Sequence, residues 1–279
     1  MLGVPRLLLA LLLGAGSAPP AVPKPVAAAL DIPVREYEAQ TEQELLVLIN
    51  LSRAQAGESP LSLDSGLSQA ARTHAQAMLE ARLLSHRFEG ELPLAQRLAA
   101  ATQLQLDQEA ENVALDFSAE GGHQHLMLSP PHRANLLNSA YNVVGLGIVR
   151  SGNRLYIVQD FGHAIPNYSP AEVKTQIAAT VNQLRRQASR SELQGLDLPA
   201  ADDAACSMAQ ADKLGSSAVY QLTERYTVLT FTSLHPETLP AGATRAITSP
   251  NLHSSSIGAC YARTETYPTG VYWVVLLLD

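Results

Sequence analysis

Two histidines and one glutamate are the residues of this sequence best suited to metal binding or proton transfer. They lie in three short segments: His86 follows a Leu-Ser pair, Glu111 begins the run Glu-Asn-Val-Ala, and His132 ends the run Leu-Ser-Pro-Pro-His. Imidazole and carboxylate groups hold divalent metals and transfer protons near neutral pH. Because the segments lie within about one domain's length, a single fold could bring the three side chains together.

The sequence around these residues predicts helices early and strands later. Periodic apolar residues predict a helix that opens at Thr41, with Glu44 completing a capping box, and ends near Gly57. The other predicted elements are helices over 65–81, 94–101 and 122–128, the last stopped by the prolines 130–131, and strands over 143–149 and 155–160 joined by a turn at 151–153. Strands that follow helices indicate an α+β layered fold rather than repeated βαβ units.

Length and charge limit the classes of protein to be considered. With 279 residues the chain can hold one large domain or two ordinary ones, and 46% hydrophobic residues suffice for a core. The net charge of -7 and the pI near 5.6 argue against nucleic acid as a partner. They also argue against electrostatic docking on an anionic membrane.

The first 18 residues have the layout of a secretory signal peptide. Arg6 precedes an apolar run over 7–13, and small residues follow over 14–18. The alternative is an apolar N-terminal helix, although the run is short for a membrane span. An Ala- and Pro-rich segment over 19–40 is predicted to be a flexible leader. The predicted location is therefore secreted, periplasmic or in the cell envelope.

The two cysteines, Cys206 and Cys260, both lie in the last third of the chain. In an exported protein such a pair predicts one disulfide, worth about 4 kcal/mol in the chain-entropy model. Two buried free thiols are the alternative. No Cys-x-x-Cys motif occurs, which excludes a zinc site built on thiolates.

The C-terminal part of the chain is predicted to form a smaller unit. An amphipathic helix over 171–190 and a polar linker fall within residues 167–203, and a small α+β domain follows over 204–279. Within it, residues 256–263 resemble residues 143–150, and each segment leads into an aromatic-rich strand. We interpret the small domain as a shortened, degenerate second copy of the first, with coincidence as the alternative.

Several short segments together resemble the CAP superfamily, which comprises cysteine-rich secretory, antigen 5 and pathogenesis-related 1 proteins and whose domain is also called SCP. The matching residues are, in family order, 70–78, 85–86, 111–114, 129–137, 144–147 and 159–162. The resemblance covers about residues 42–163 and is greatest to the cysteine-poor bacterial branch. It implies a CAP domain over 41–166 with a three-layer α-β-α sandwich.

In that family two histidines and two glutamates line a shallow cleft that sometimes holds zinc. The resemblance places His86 and His132 as the histidines and Glu111 as the first glutamate. The second glutamate has no clear counterpart, and the family's usual tryptophan is replaced near Leu126. The neighbouring His123 and His125 are candidates for a substitute ligand.

The remaining polar motifs have simpler interpretations. His74 lies on the apolar face of its helix and is predicted to be a core residue, and His163 follows the last strand. His235 and His253 are predicted to lie in loops with no acidic partner. The Gly-x-Gly pair at 145–147 lies inside a strand, which indicates close backbone packing rather than a phosphate loop.

Three classes of function follow from these observations. The first is an exported binding module whose cleft takes a peptide, a lipid or a cell-wall component and holds a divalent metal such as zinc. The second is a metal-assisted hydrolase in which His86, Glu111 and His132 are catalytic. The third is a structural envelope protein with a vestigial cleft, in which the histidines only tether loops. Because one family carboxylate is missing, the sequence favours binding over catalysis.

Overall fold

The computed structural model describes residues 38–279, so the predicted signal peptide and nearly all of the predicted leader lie outside the described residues. The first half of the described chain contains these elements in order: α1 (Ala39–Ala56), β1 (Ser62–Leu63), α2 (Ser65–Ala81), α3 (Leu94–Ala101), β2 (Gln105–Asp116), α4 (Ala119–Leu128), α5 (Pro130–Leu136), β3 (Val143–Ser151) and β4 (Arg154–Ile165).

Helices cover both faces of the sheet that these strands form. The strand order is β1-β3-β4-β2, with β1 parallel to β3 and the other neighbours antiparallel. One face packs on α2, where Ala75 and Met78 meet Val113 and Val158. The other face packs on α1, α4 and α5 in a separate apolar core. This arrangement confirms the predicted three-layer α-β-α sandwich.

Two glycines of β3 allow α2 to lie directly against the sheet. A Cβ atom at Gly145 would lie 2.1 Å from the carbonyl carbon of Leu67, and one at Gly147 would lie 2.2 Å from that of Ala71. Real side chains do not tolerate such distances from backbone, so only glycine fits there. The Gly-x-Gly pair marks close backbone packing, as predicted.

The second half of the chain repeats the first in outline. Its elements are α6 (Pro170–Gln187), β5 (Gln194–Leu196), α7 (Pro199–Ala211), α8 (Ser217–Leu222), β6 (Thr227–Ser233), α9 (Ala243–Ile247), β7 (Ser254–Ala262) and β8 (Val271–Leu278). The strand order β5-β7-β8-β6 has the same pattern of one parallel and two antiparallel pairings. We call residues 38–165 the first copy and residues 170–279 the second copy.

Side-chain contacts repeat along with the topology. The buried Arg53 of α1 donates hydrogen bonds to the carbonyl of Ser59 and to three carbonyls that precede β3. The buried Arg185 of α6 donates to the carbonyl of Ser191 and to three carbonyls that precede β7. The asparagine three residues before each arginine accepts from the amide eleven residues further on. These repeated contacts support the interpretation of a degenerate second copy.

The approach of helix to sheet also repeats. A Cβ atom at Gly258 of β7 would lie 1.9 Å from the carbonyl oxygen of Ala201 in α7, just as Gly145 of β3 lies against Leu67 of α2. Gly258 and Gly145 therefore occupy equivalent places in the two copies.

The disulfide begins at Cys260 of β7, two residues after Gly258. In the first copy this place holds Gly147, whose added Cβ would lie 2.2 Å from the amide nitrogen of Arg72. In the second copy it holds Cys260, which is bonded to Cys206 of α7 with their Cα atoms 5.1 Å apart. The predicted disulfide is confirmed, and a covalent bond stands where the first copy has a glycine.

Some predicted boundaries were wrong. The capping box at Thr41 does not form: Glu38 is the N-cap of α1, and the Thr41 hydroxyl donates to its carboxylate instead. Pro130 and Pro131 do end α4, but they also occupy the first turn of α5, where a missing amide N–H costs nothing.

The polar stretch predicted as a linker over 191–203 is ordered secondary structure. It contains β5 and the start of α7, so the second copy begins with α6 rather than at residue 204. Strand β2 was not predicted, although it carries Glu111. Within residues 38–279, no helix is long and apolar enough to cross a membrane.

Candidate functional site

Strand β2 lies at the edge of the first sheet and positions the central carboxylate of the site. Glu111 of β2 stands opposite Asp160 of β4. Side chains alternate between the faces of a strand, and Val113 and Val158 pack on α2, so Glu111 and Asp160 share the α2 face. Asn112 points to the opposite face.

Both oxygens of Glu111 are engaged. Oε1 lies 2.9 Å from Nδ1 of His86, and Oε2 accepts from Nη2 of Arg97 at 2.7 Å. The Glu111 and Arg97 side chains are only 4% and 9% exposed, whereas that of His86 is 58% exposed. Glu111 therefore anchors a surface imidazole to a buried guanidinium.

A second ion pair lies beside the first. His74 is fully buried, with Nδ1 2.6 Å from Oε1 of Glu91 and Nε2 2.8 Å from the carbonyl oxygen of Ser85. The ring of His74 is therefore fixed at both nitrogens by oxygen atoms. Nη1 of Arg97 lies 3.4 Å from the same Glu91 oxygen. His74 is a core residue, as predicted, but it also holds the loop that carries His86.

Asp160 lies beneath this network and is fully buried. Burial, and then the negative charge of Glu111, raise the pKa of Asp160 well above its usual range, while Arg97 acts in the opposite direction. Both carboxyl oxygens of Asp160 lack a hydrogen-bond partner among residues 38–279. The neutral acid is favoured at Asp160, and Glu111 is the carboxylate that pairs with Arg97.

His132 reaches the site from the other face of the sheet. Asn112 donates to the carbonyl oxygen of His132 at 3.1 Å, and this bond ties α5 to β2. Nδ1 of His132 lies 2.7 Å from Oγ of Ser129. Burial and then the charge of His86 lower the pKa of His132, which favours the neutral ring.

The donor set does not fit a zinc centre. Nδ1 of each imidazole is occupied, which leaves Nε2 of His86 and Nε2 of His132 as ligands, and Glu111 is held by Arg97. Catalytic zinc sites use three protein ligands and structural sites four. Among residues 38–279, no group of three or more His, Cys, Asp or Glu could hold a metal ion.

The proposed substitute ligands point elsewhere. His123 is buried, with Nε2 2.8 Å from Oγ of Ser52, and burial lowers its pKa. His125 is largely exposed and pairs with Asp116 at 2.6 Å. Neither contacts His86, Glu111 or His132 through a hydrogen bond or ion pair within the described part of the chain.

One interpretation of the other histidines was wrong. His235 is not without an acidic partner: its Nε2 lies 2.9 Å from Asp107 of β2, and its Nδ1 lies 3.4 Å from Glu237. His163 of β4 bonds the other oxygen of the same Asp107 at 2.7 Å. Asp107 therefore contacts the second copy through His235 and is held within the first copy by His163.

The second copy has lost the polar residues of this site. Gly145 stands opposite Asp160 in the first sheet, and Gly258 stands opposite Val275 in the second. Asp160 therefore corresponds to Val275, and Glu111 corresponds to Thr230, the other neighbour of Val275. The second copy has no carboxylate at either place, so the site belongs to the first copy alone.

One family model and several solved structures are similar to part of this chain. Residues 46–161 match the family model described as CAP, the cysteine-rich secretory protein family. An outer surface protein from Borrelia burgdorferi is 22% identical, and the match covers 45% of this chain and 94% of that one, with a TM-score of 0.42. No curated protein matches the sequence.

Two further solved structures are similar over a comparable share of the chain. An extracellular protein with an SCP domain from Bacillus anthracis is 24% identical, over 45% of this chain and 41% of that one, with a TM-score of 0.40. A cysteine-rich secretory protein from Staphylococcus aureus is 23% identical, over 47% and 41%, with a TM-score of 0.35. This chain thus spans less than half of the length of these two proteins.

Proposed function

We propose that this protein, whose residues 46–161 form a CAP domain of the cysteine-rich secretory protein family, is an exported binding module that recognises its ligand through His86 and His132. One observation carries the proposal. Both oxygens of Glu111 are held by ordered partners, so the carboxylate fixes the position of His86 instead of remaining free for proton transfer.

The exposure of the histidines supports recognition at this surface. His86 presents a half-exposed ring whose Nδ1 is bonded to Glu111, so its Nε2 is the atom available to a ligand. The Nε2 atom of His132 is available for the same reason. Each imidazole is already held by a hydrogen bond at Nδ1 and needs little reordering on binding, which favours affinity.

Export is supported by the disulfide and by the predicted signal peptide. Cys206 and Cys260 are bonded, and such bonds persist in oxidising compartments. The ligand would therefore be an extracellular or cell-envelope molecule. Peptides, lipids and cell-wall fragments are the classes to test.

Hydrolysis draws less support from the site. The carboxylate that would act as the base is ion-paired with Arg97, and two imidazoles alone provide too few ligands for a catalytic metal. Titration of the protein with zinc chloride in a calorimeter tests the metal directly. Heat that fits a Kd below about 1 μM, and that disappears when His86 and His132 are both replaced by alanine, would contradict our interpretation of the donor set.

A binding screen tests the proposal itself. Three probes are applied to the full chain: an immobilised random peptide library, phosphatidylglycerol vesicles and soluble muropeptides. We expect one probe to bind wild type and to lose at least about tenfold in affinity in the variant His86→Ala/His132→Ala. The matched control, His253→Ala, alters an exposed histidine of the second copy and should bind as wild type does. Failure of all three probes, or equal binding by both variants, would refute the proposal.

A further inference from the structure

The second copy makes its polar contacts with the first at the two elements that carry the buried ion pair. These elements are α3, which holds Arg97, and β2, which holds Glu111. Asp107 lies four residues before Glu111 on β2 and bonds His235 of the second copy. Ala99 lies two residues after Arg97 on α3 and accepts from Arg263 of the second copy.

Arg263 caps the end of α3. Its Nη1 donates to the carbonyl of Ala99 at 2.6 Å, and its Nη2 donates to that of Leu104 at 3.4 Å. The last carbonyls of a helix have no partner within the helix, and a positive charge there is also favoured by the helix dipole. Arg263 thus satisfies a group that α3, which ends at Ala101, leaves unpaired.

A longer loop in the second copy makes these contacts possible. In the first copy, the tight turn of Gly152 and Asn153 joins β3 to β4. In the second copy, eight residues, 263–270, join β7 to β8. This loop begins with Arg263 and also carries Thr269, whose hydroxyl donates to the carbonyl of Leu106 at the start of β2 at 3.0 Å.

The two changes in the second copy fit together. The second copy has Thr230 and Val275 at the places where the first copy has carboxylates. Its longer loop over 263–270 forms hydrogen bonds with the part of the first copy that carries the site. We infer that contacts from the second copy hold the cleft of the first copy in its shape. In particular, Arg263 is a positioning residue for Arg97. This inference extends the proposed function, but the geometry it concerns exists without any ligand.

NMR of the full chain without ligand tests the inference. Arg263→Ala should shift the Nε–H resonance of Arg97, speed its exchange with water by about tenfold, and shift the ring-proton resonances of His86. Arg263→Lys keeps the charge but has fewer donors, so its effects should be intermediate. The control Arg245→Ala removes an exposed arginine of the second copy and should leave both signals unchanged.

The result that would overturn the inference is equally specific. If Arg263→Ala shifts only signals of the second copy and of residues 99–104, while Arg97 and His86 keep their wild-type signals, the second copy does not support the cleft. If Arg263→Ala fails to fold, Thr269→Val removes one hydroxyl at nearly constant volume and is judged by the same two signals. Because no ligand is used, failure of the binding screen leaves this result intact.

Discussion

Glu111 and Asp160 should be strongly coupled in their effects on stability. Glu111→Gln removes the carboxylate that pairs with Arg97 but keeps the shape of the side chain. The negative charge of Glu111 is the second cause of the raised pKa of Asp160, after burial. Once that charge is gone, Asp160 can ionise more readily and pair with Arg97 in its place.

The magnitudes follow from the burial of the pair. Removal of one partner from a buried ion pair costs about 3–5 kcal/mol. With Asp160 available to compensate, we expect Glu111→Gln to lower the free energy of unfolding by about 3 kcal/mol at pH 7. In an Asp160→Asn background the guanidinium of Arg97 keeps only its 3.4 Å contact with Glu91, and the same change should cost about 5 kcal/mol. The coupling is then about 2 kcal/mol, within the range measured for residues in one network.

Asp160→Asn alone should change the way in which the free energy of unfolding depends on pH, and the raised pKa of Asp160 fixes the direction of that change. The pKa of Asp160 is raised in the folded protein, so the unfolded chain loses this proton at a lower pH than the folded chain does. The stability that comes from the protonated acid is therefore fully present below about pH 4 and is lost as pH rises toward the folded-state value. Asp160→Asn should stabilise the protein at pH 7 and lose this advantage near pH 4.

Urea unfolding followed by far-UV circular dichroism measures all four proteins of the cycle at both pH values. Glu89→Gln is the matched control, because Glu89 is an exposed glutamate on the same loop as His86. The reasoning is refuted if Glu111→Gln costs the same, within about 0.5 kcal/mol, with and without Asp160.

Three further predictions concern other parts of the fold. Replacement of Cys206 and Cys260 together by alanine should lower the free energy of unfolding by about 4 kcal/mol, because the disulfide spans 54 positions; an unchanged urea midpoint would contradict this. Gly147→Ala should cost about 3 kcal/mol or more in thermal unfolding, whereas Gly195→Ala, with open space around it, should cost far less; equal costs would remove the packing argument. Burial lowers the pKa of His123, so protonation favours the unfolded chain and stability should fall as pH drops below about 6.5. His123→Gln should flatten this fall between pH 7 and pH 5, and an unaltered slope would show that His123 is not its source.

Much of the fold could be predicted because apolar periodicity and turn residues were clear. Helices α2 and α3 have the predicted bounds, and the paired glycines of β3 indicated close packing. Strand β2 escaped prediction because Gln105–Asp116 consists largely of Gln, Asp, Glu, Ala and Leu, residues typical of helices or surfaces. It is a strand because it pairs with β4 along its whole length.

Only some residues of the candidate site could be predicted from the sequence. His86, Glu111 and His132 stood out by their signatures, and the structure brings His86 and Glu111 into direct contact. Arg97 gave no signal, because an arginine on a short helix is usually a solvated surface residue. An acid inside an apolar strand was a usable signal for Asp160, since such a group is costly to bury without a partner.

Gly147 and Cys260 stand at equivalent places where a helix packs directly on a strand, but the two kinds of contact need different chemical conditions. The first copy brings α2 against β3 by omitting a side chain, which requires nothing from the surroundings. The second copy fastens α7 to β7 by a bond that forms only where an oxidant is present. The first copy can therefore complete its packing in a reducing medium, whereas the second copy completes its disulfide only in an oxidising one.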